Sequence, residues 1–260
     1  MKELLITDLD GTLLDSDGRL SDISAEIINQ FISEGGAFTF ATARTASSAV
    51  KITEKININT PCVLMNGVSI YDIQKKKYIK NEYINNGTAV TVAAIFKQCN
   101  IKPFMYKIKN NRLFALYTGF ENKQMYEFFL LRRDKYDKPF IKCSDFACEA
   151  DESVVYFTTL GEYESLAPVK SLLDKIDNIS SAFYKDVYNK GLWFLEVFSN
   201  RASKSNGIKF LKKYGTFDYV TCFGDNLNDL PMFHICDKCI AVGLSLIHIS
   251  EPTRLQLISY

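Results

Sequence analysis

Apolar residues along this chain fall into short uninterrupted runs that alternate with helical spacings. Leu4, Leu5 and Ile6 run together with no polar interruption, the pattern of a parallel strand covered on both faces. Ile23, Ile27, Ile28, Phe31 and Ile32 then recur at helical spacing, and Gly35-Gly36 supplies a stop. A strand over 37–41 follows directly. This is a βαβ unit, which crosses over right-handed and makes its two strands parallel neighbours. A second helix near 46–56 leads to a strand over 61–65, and Asn66-Gly67 turns the chain at its tip.

From about residue 83 the texture changes. A helix starting near Thr88 is followed by extended runs over 102–107 and 112–118 around an Asn110-Asn111 turn. A helix over 123–133, a strand over 153–159 and a helix over 164–176 complete an α+β pattern. Extended runs over 181–188 and 192–198 return the chain to the first domain, with Trp193 and Phe194 as core of the returning strand. Helix 204–213, strand 219–223, a short helix after Asn228 and strand 239–243 resume the βα rhythm. The expected fold is α/β: a Rossmann-like parallel-sheet core, residues 1–84 and 190–243, interrupted by an α+β domain over 85–189.

With 47% apolar residues in 260, the chain has the means to bury a core. A net charge of +1 offers no global argument for nucleic acid or an anionic membrane. The apolar stretch before the first aspartate is too short for a signal peptide, and no run approaches the roughly 18 apolar residues of a membrane span. A soluble cytoplasmic protein without nucleic-acid or membrane partners is expected. Seven scattered cysteines suit reduced thiols. Cys236 and Cys239 form a CxxC, but His234 does not complete a familiar zinc set, so buried, inert thiols are expected there.

The candidate chemistry sits at strand ends. Asp8 and Asp10 leave the first strand at its carboxyl end, where open α/β sheets bind ligands. Such a pair is costly unless a metal ion, a basic side chain or both sit on it, although a helix-capping turn is an alternative. Asp225 in "FGDNLNDLPM" leaves a second apolar run in the same way, with Asn228 and Asp229 entering a helix. Three carboxylates at parallel strand tips suit a hard divalent cation, Mg²⁺ first. A phosphate sharing that ion needs donors on its other side. Thr42 offers a hydroxyl and Lys204 an ammonium at a helix start. The plainer readings are a turn residue for Thr42, a solvated helix-start charge for Arg44 and a surface lysine for Lys204. Between 97 and 142, eleven Lys or Arg stand against four acids. A solvated face accounts for them, while Arg112, Arg132 and Arg133 are candidates to meet a polyanionic substrate.

DLDGT at 8–12, Thr42 in "ATART", Lys204 and GDNLND at 224–229 together resemble the four ordered motifs of haloacid dehalogenase-superfamily phosphatases. With "MNGVSIYD" at 65–72, the chain looks most like the Cof-like members, over roughly residues 1–243. The resemblance implies that Asp8 is a nucleophile forming an aspartyl-phosphate and that Asp10 serves as general acid and base. It implies Mg²⁺ on Asp8, the backbone carbonyl of Asp10 and Asp225, with Asp229 orienting the site. Thr42, Ala43, Arg44, Asn66, Gly67 and Asn228 would bind phosphate, with Lys204 fixing the phosphoryl oxygens. The implied substrate is a small phosphorylated metabolite, such as a sugar phosphate or a phosphorylated cofactor. A phosphohexomutase and a non-catalytic remnant are the alternatives.

Only one helix and one strand fit between Asp10 and Thr42, whereas more than 150 residues separate Thr42 from Lys204. A cap domain therefore follows the second motif, and in the family such a cap closes over the site. After Gly243 the chain departs from the family pattern. "LSLIHISEPTRLQLISY", residues 244–260, lacks the expected turn and reads as a foreign tail, interrupted by Pro252 and expected to pack weakly without a regular element.

Overall fold

The computed structural model describes residues 2–186, 191–225 and 229–242, and the backbone of 256–258. The first elements in chain order are β1 (Glu3–Thr7), α1 (Asp22–Ser33), β2 (Ala37–Phe40), α2 (Ala46–Ile52), β3 (Cys62–Leu64), β4 (Ser69–Asp72) and β5 (Lys77–Asn81). Next come α3 (Asn86–Gln98), β6 (Phe104–Lys109), β7 (Arg112–Tyr117), α4 (Lys123–Tyr136), β8 (Phe140–Lys142) and α5 (Phe146–Glu149). They are followed by β9 (Val154–Glu162), α6 (Tyr163–Leu173), β10 (Ile179–Lys185) and β11 (Leu192–Ser199). The last are α7 (Lys204–Gly215), β12 (Tyr219–Gly224), α8 (Leu230–Phe233), β13 (Lys238–Val242) and β14 (Gln256–Ile258). Two units result: Met1–Lys80 with Ala202–Tyr260, and Asn81–Arg201. Among the described residues no helix is long and apolar enough to cross a membrane.

The first unit is built on a parallel sheet in the order β14-β13-β12-β1-β2. β1 pairs in parallel on both sides, with Leu4 opposite Val220 and Ala37. Leu4 and Ile6 are fully buried, and β2 is buried at all four residues, which explains runs without alternation. Beyond β2, Ala41 bridges Val63 in parallel, and β3, β4 and β5 form a small sheet of their own. β4 and β5 escape the sequence pattern because they are short and rich in polar residues. Their pairing partners, not their composition, make them strands.

α1 starts where Ser21 accepts a hydrogen bond from the Ser24 amide at 3.0 Å. Its apolar residues do not all face inward. Ala25 is buried and Ile28, Phe31 and Ile32 are partly covered, while Ile23 and Ile27 are 70% and 62% exposed. The last two lie on a separate i, i+4 stripe, turned away from the sheet.

In the second unit a six-stranded sheet runs β10-β11-β9-β6-β7-β8. One face buries Met105, Phe157, Leu195 and Val197 against α3, α5 and α6. The other carries Phe104 and Phe194, whose rings meet Phe128 of α4. β11 pairs antiparallel with both β9 and β10, so this strand belongs to the second unit and does not return the chain to the core as expected. The unit boundaries fall at 80/81 and 201/202, not at 84/85 and 189/190.

Most of the tail, Pro252 included, lies outside the described residues. Gln256–Ile258, however, pair in parallel with Ile240–Val242, which corrects the expectation that the tail forms no regular element. Without β14, β13 would be an edge strand with unpaired amides and carbonyls, and β14 takes up that edge.

α7 approaches the sheet closely through Gly207, where a Cβ would lie 2.6 Å from Val63 Cγ1 and 3.3 Å from Ile70 Cδ1. Gly207→Leu should therefore lower unfolding stability by about 2 kcal/mol through overpacking. Urea denaturation reads this, and an unshifted midpoint would mean that α7 is not seated tightly on β3.

Candidate active site

The acidic groups and the lysine meet at the carboxyl ends of β1 and β12. Past Thr7, the Asp8 amide still donates to the Phe223 carbonyl at 2.9 Å, which extends the ladder by one residue and fixes the Asp8 side chain at the tip. The Leu9 carbonyl then accepts from the amides of Thr12, Leu13 and Leu14 at 3.3, 3.1 and 2.9 Å, curling DLDGT into a tight loop. Gly11 holds φ +81°, and any Cβ there would collide with Asp225 Oδ2. Thr12 Oγ1 donates to Asp225 Oδ1 at 3.0 Å. Gly11 and Thr12 thus seat Asp225, a task that sequence reasoning did not assign to them although both stand inside the quoted motif.

Lys204 is the first residue of α7, whose N-cap Ser203 accepts from the Asn206 amide at 3.0 Å. Its ammonium is buried and donates to Asp8 Oδ1 and Asp229 Oδ1, both at 2.6 Å. Asp229, fully buried, also accepts from the Asp225 amide at 3.1 Å. The lysine is therefore no surface residue.

Asn66 and Gly67 explain how α7 is placed. Met65, Asn66 and Gly67 all have positive φ, at 49°, 54° and 97°, and a Cβ on Gly67 would collide with the Ser203 backbone. This left-handed turn lets the chain pass directly against the N-cap of α7. The turn is tied to the second motif: the Asn66 amide donates to the Thr42 carbonyl at 3.0 Å and the Met65 amide to the Arg44 carbonyl at 3.1 Å. Asn66 Oδ1 is buried without a partner among the described residues. Thr42 is fully buried, and its Oγ1 accepts from the Arg44 amide at 3.2 Å. Ala43 lies in the bend between them, half-buried. Arg44 grips the Asp10 carboxylate with both ends of its guanidinium, Nε to Oδ2 at 2.8 Å and Nη2 to Oδ1 at 2.6 Å. Asn228 lies outside the described residues. In the second unit, Arg133 pairs with Asp134 and the Arg132 guanidinium lies 3.3 Å over the Phe128 ring.

Electrostatics leave this centre short of positive charge. Burial pushes the Asp8 carboxyl up to about 7 against the attraction of Lys204, with Asp229 and Asp10 adding to the rise. Asp225 is raised as well, by burial first, while the Thr12 hydroxyl holds it down and the Asp229 charge pushes it further. Burial works to lower Lys204, but two carboxylates outweigh that cost and raise it above the ordinary lysine range. Oxygens of Asp8, Asp225 and Asp229 lie within 4.8 Å of one another, a hard all-oxygen donor set that suits a divalent cation. Among the described residues this is the one such set, and Cys236 and Cys239 are free thiols, as are the other five cysteines.

The profile of the haloacid dehalogenase-like hydrolase family matches residues 5–246. The chain belongs to the haloacid dehalogenase-like hydrolases. This hydrolase is 23% identical to phosphatase YwpJ of Bacillus subtilis over 261 residues, covering 93% of this chain and 89% of that one. Its fold resembles that of a haloacid dehalogenase-like hydrolase from Bacteroides thetaiotaomicron, with a TM-score of 0.77 and 18% identity over 99% of this chain and 94% of the other. It also resembles the subclass IIB sugar phosphatase BT4131, with a TM-score of 0.70 and 18% identity over 99% and 94% of the two chains.

The raised Asp8 carboxyl gives the hydrolase a pH signature. Without divalent cations, folded Asp8 keeps its proton between its ordinary value near 4 and about 7, whereas the unfolded chain releases it. The resulting stability is present below about pH 4 and lost as pH rises through 7. Asp8→Asn should remove this contribution and flatten the decline of Tm between roughly pH 5 and 8 in EDTA. Equal slopes for the two proteins would show that Asp8 is ionised throughout that range.

Proposed function

We propose that this hydrolase is a Mg²⁺-dependent cytoplasmic phosphatase of small phosphorylated metabolites, sugar phosphates foremost, acting through an aspartyl-phosphate on Asp8. The observation that carries the reading is the convergence of Asp8, Asp225 and Asp229 within 4.8 Å, with Lys204 bonded to Asp8 on its other side. The likeness to a fold named a sugar phosphatase supports the substrate class.

Asp8 and Asp225, with the carbonyl of Asp10, would hold the Mg²⁺, which supplies positive charge to offset repulsion between a carboxylate and a phosphate dianion. An Asp8 carboxylate oxygen forms a bond to phosphorus as the ester oxygen departs, and that oxygen takes a proton from the Asp10 carboxyl. Water then attacks the phosphoryl group. Asp10 takes its proton back from that water, and phosphate and free Asp8 result. Lys204 holds Asp8 in line, with Asp229 anchoring the lysine from behind. Thr42, the Ala43 backbone, Asn66, Gly67 and Asn228 would bind the phosphoryl oxygens. Arg44, which grips both Asp10 oxygens, must release at least one of them for the proton to move and is then available to the phosphate.

Asp8→Asn should abolish phosphate release from hexose phosphates while leaving the fold intact, since an amide fills the same space but does not attack phosphorus. Asp225→Ala should raise the Mg²⁺ concentration for half-maximal rate about tenfold or more through loss of a ligand. Comparable turnover by the first variant, or an unshifted Mg²⁺ titration for the second, would refute these roles. Incubating the wild type with hexose 1-phosphate and the matching bisphosphate separates hydrolysis from isomerisation: a mutase returns hexose 6-phosphate, a phosphatase free phosphate.

A further inference from the structure

The CxxC of Cys236 and Cys239 does not stand alone in the first unit. Register sets Cys222 of β12 directly opposite Cys239 of β13. Cys222 is fully buried in the apolar core that Ile208 and Leu211 of α7 and Met232 of α8 share, and Cys236 and Cys239 pack against that same core. Side-chain hydrogen bonds join the Cys222 thiol to the thiols of both Cys236 and Cys239. Three sulfurs therefore converge in otherwise apolar surroundings. Cys62, in the same unit, instead donates its thiol to the Tyr71 carbonyl at 3.3 Å, the ordinary way for a buried thiol to be satisfied. The phosphoryl chemistry uses none of these sulfurs, and all seven cysteines are free thiols.

The backbone decides which two sulfurs can join. Cys222 and Cys239 stand side by side on parallel strands about 4.8 Å apart, wider than the roughly 3.5–4.5 Å that a disulfide sets between its Cβ atoms. Cys239 is also committed elsewhere, since its Sγ donates to the Phe233 carbonyl at 3.1 Å. Cys236 lies in the bend between α8 and β13 and belongs to no ladder. Its amide donates to the Met232 carbonyl at 3.2 Å, and the residue after it is fastened to β12. There the Asp237 amide donates to the Val220 carbonyl at 2.9 Å, and the Val220 amide donates to Asp237 Oδ2 at 2.8 Å. Val220 and Cys222 share one face of their strand, so this clasp holds Cys236 beside Cys222. Cys236 is half-buried while Cys222 is sealed from solvent, and a reagent arriving from water meets Cys236 first. Burial raises the Cys222 thiol and its thiol neighbours add to the rise, so Cys222 does not start an exchange.

We propose that Cys236 and Cys222 form a thiol–disulfide exchange site that takes a low-molecular-weight disulfide as its oxidant. The Cys236 thiolate attacks one sulfur of the reagent, whose S–S bond breaks, so that a mixed disulfide forms on Cys236 and one reagent thiol leaves. The Cys222 sulfur then attacks the Cys236 sulfur, the mixed disulfide breaks, and the Cys222 proton goes to the second departing thiolate. The two cysteines lose two electrons to their bridge, and the reagent is reduced to two thiols. The chain between the bridged residues carries Asp225 and Asp229, so the bridge closes the segment that supplies both acids and restricts it in the unfolded protein. The site lies wholly in the first unit and needs no phosphorylated substrate.

The full-length protein with Mg²⁺, fully reduced and desalted, would be incubated with oxidised glutathione, alkylated in denaturant and digested for mass spectrometry without reductant. A peptide cross-linked between Cys222 and Cys236 is expected. The Tm of the oxidised protein should rise by about 5 °C and return with dithiothreitol. Cys222→Ser should stop at the mixed disulfide and retain glutathione on Cys236, whereas Cys236→Ser should leave Cys222 unmodified, and neither variant should gain the Tm shift. Cys222→Ala replaces the serine variant if a buried hydroxyl unfolds the chain, and the wild-type peptide map needs no variant. A bridge between another pair in place of this one, or Cys222 and Cys236 both alkylated after oxidation, would overturn the proposal. Since no turnover is read, the outcome is independent of the phosphatase reading.

Discussion

Lys204 places its ammonium 2.6 Å from carboxylate oxygens of both Asp8 and Asp229, where almost no solvent reaches any of the three. Such an arrangement survives only because each member compensates another. An isolated buried ammonium or carboxylate would shift its protonation or open the structure, and removing one partner leaves an uncompensated charge. The lysine pins the tip of β1, the start of α7 and Asp229 at the start of α8 to one point. Two carboxylates against one cation still leave the centre electronegative; burial raises Asp8 and Asp225, the Asp229 charge adds to the rise, and the donor set suits a divalent ion.

Tight backbone contacts supply the precision that this centre requires. Gly67 permits the left-handed turn after β3 to press on Ser203, which caps the helix that begins with Lys204. Gly11 lets the DLDGT loop close on Asp225, and Thr12 then bonds to it. A side chain at either glycine would displace the lysine or the aspartate rather than merely crowd the loop. Positioning within a few tenths of an ångström matters because phosphoryl transfer relies on alignment and electrostatics more than on reactive side chains.

The second unit divides its work between two faces of a single sheet. One face is an apolar core under three helices, sufficient to hold the unit together. The other combines stacked aromatic rings with buried polar side chains such as Glu196 and Thr158.

The sequence by itself determined the elements whose signal is local. Short, mainly apolar runs mark β1, β2 and β12, and carboxylates follow β1 and β12 at once, so Asp8, Asp10 and Asp225 stand out without coordinates. The order of four motifs assigns the family for the same reason. Tertiary structure decided what depends on distant partners. Ile23 and Ile27 share the helical period of α1 yet face solvent, because period alone does not say which stripe meets the sheet. β11 sits between β9 and β10 in the second unit, a placement that pairing decides and composition does not. Arg44 grips Asp10 across 34 positions and Thr12 reaches Asp225 across 213, contacts that no spacing rule encodes. The burial of Glu196, Thr158 and Tyr156 was equally invisible, since a polar residue within a strand reads as solvent-facing until its neighbours are known to exclude water from it.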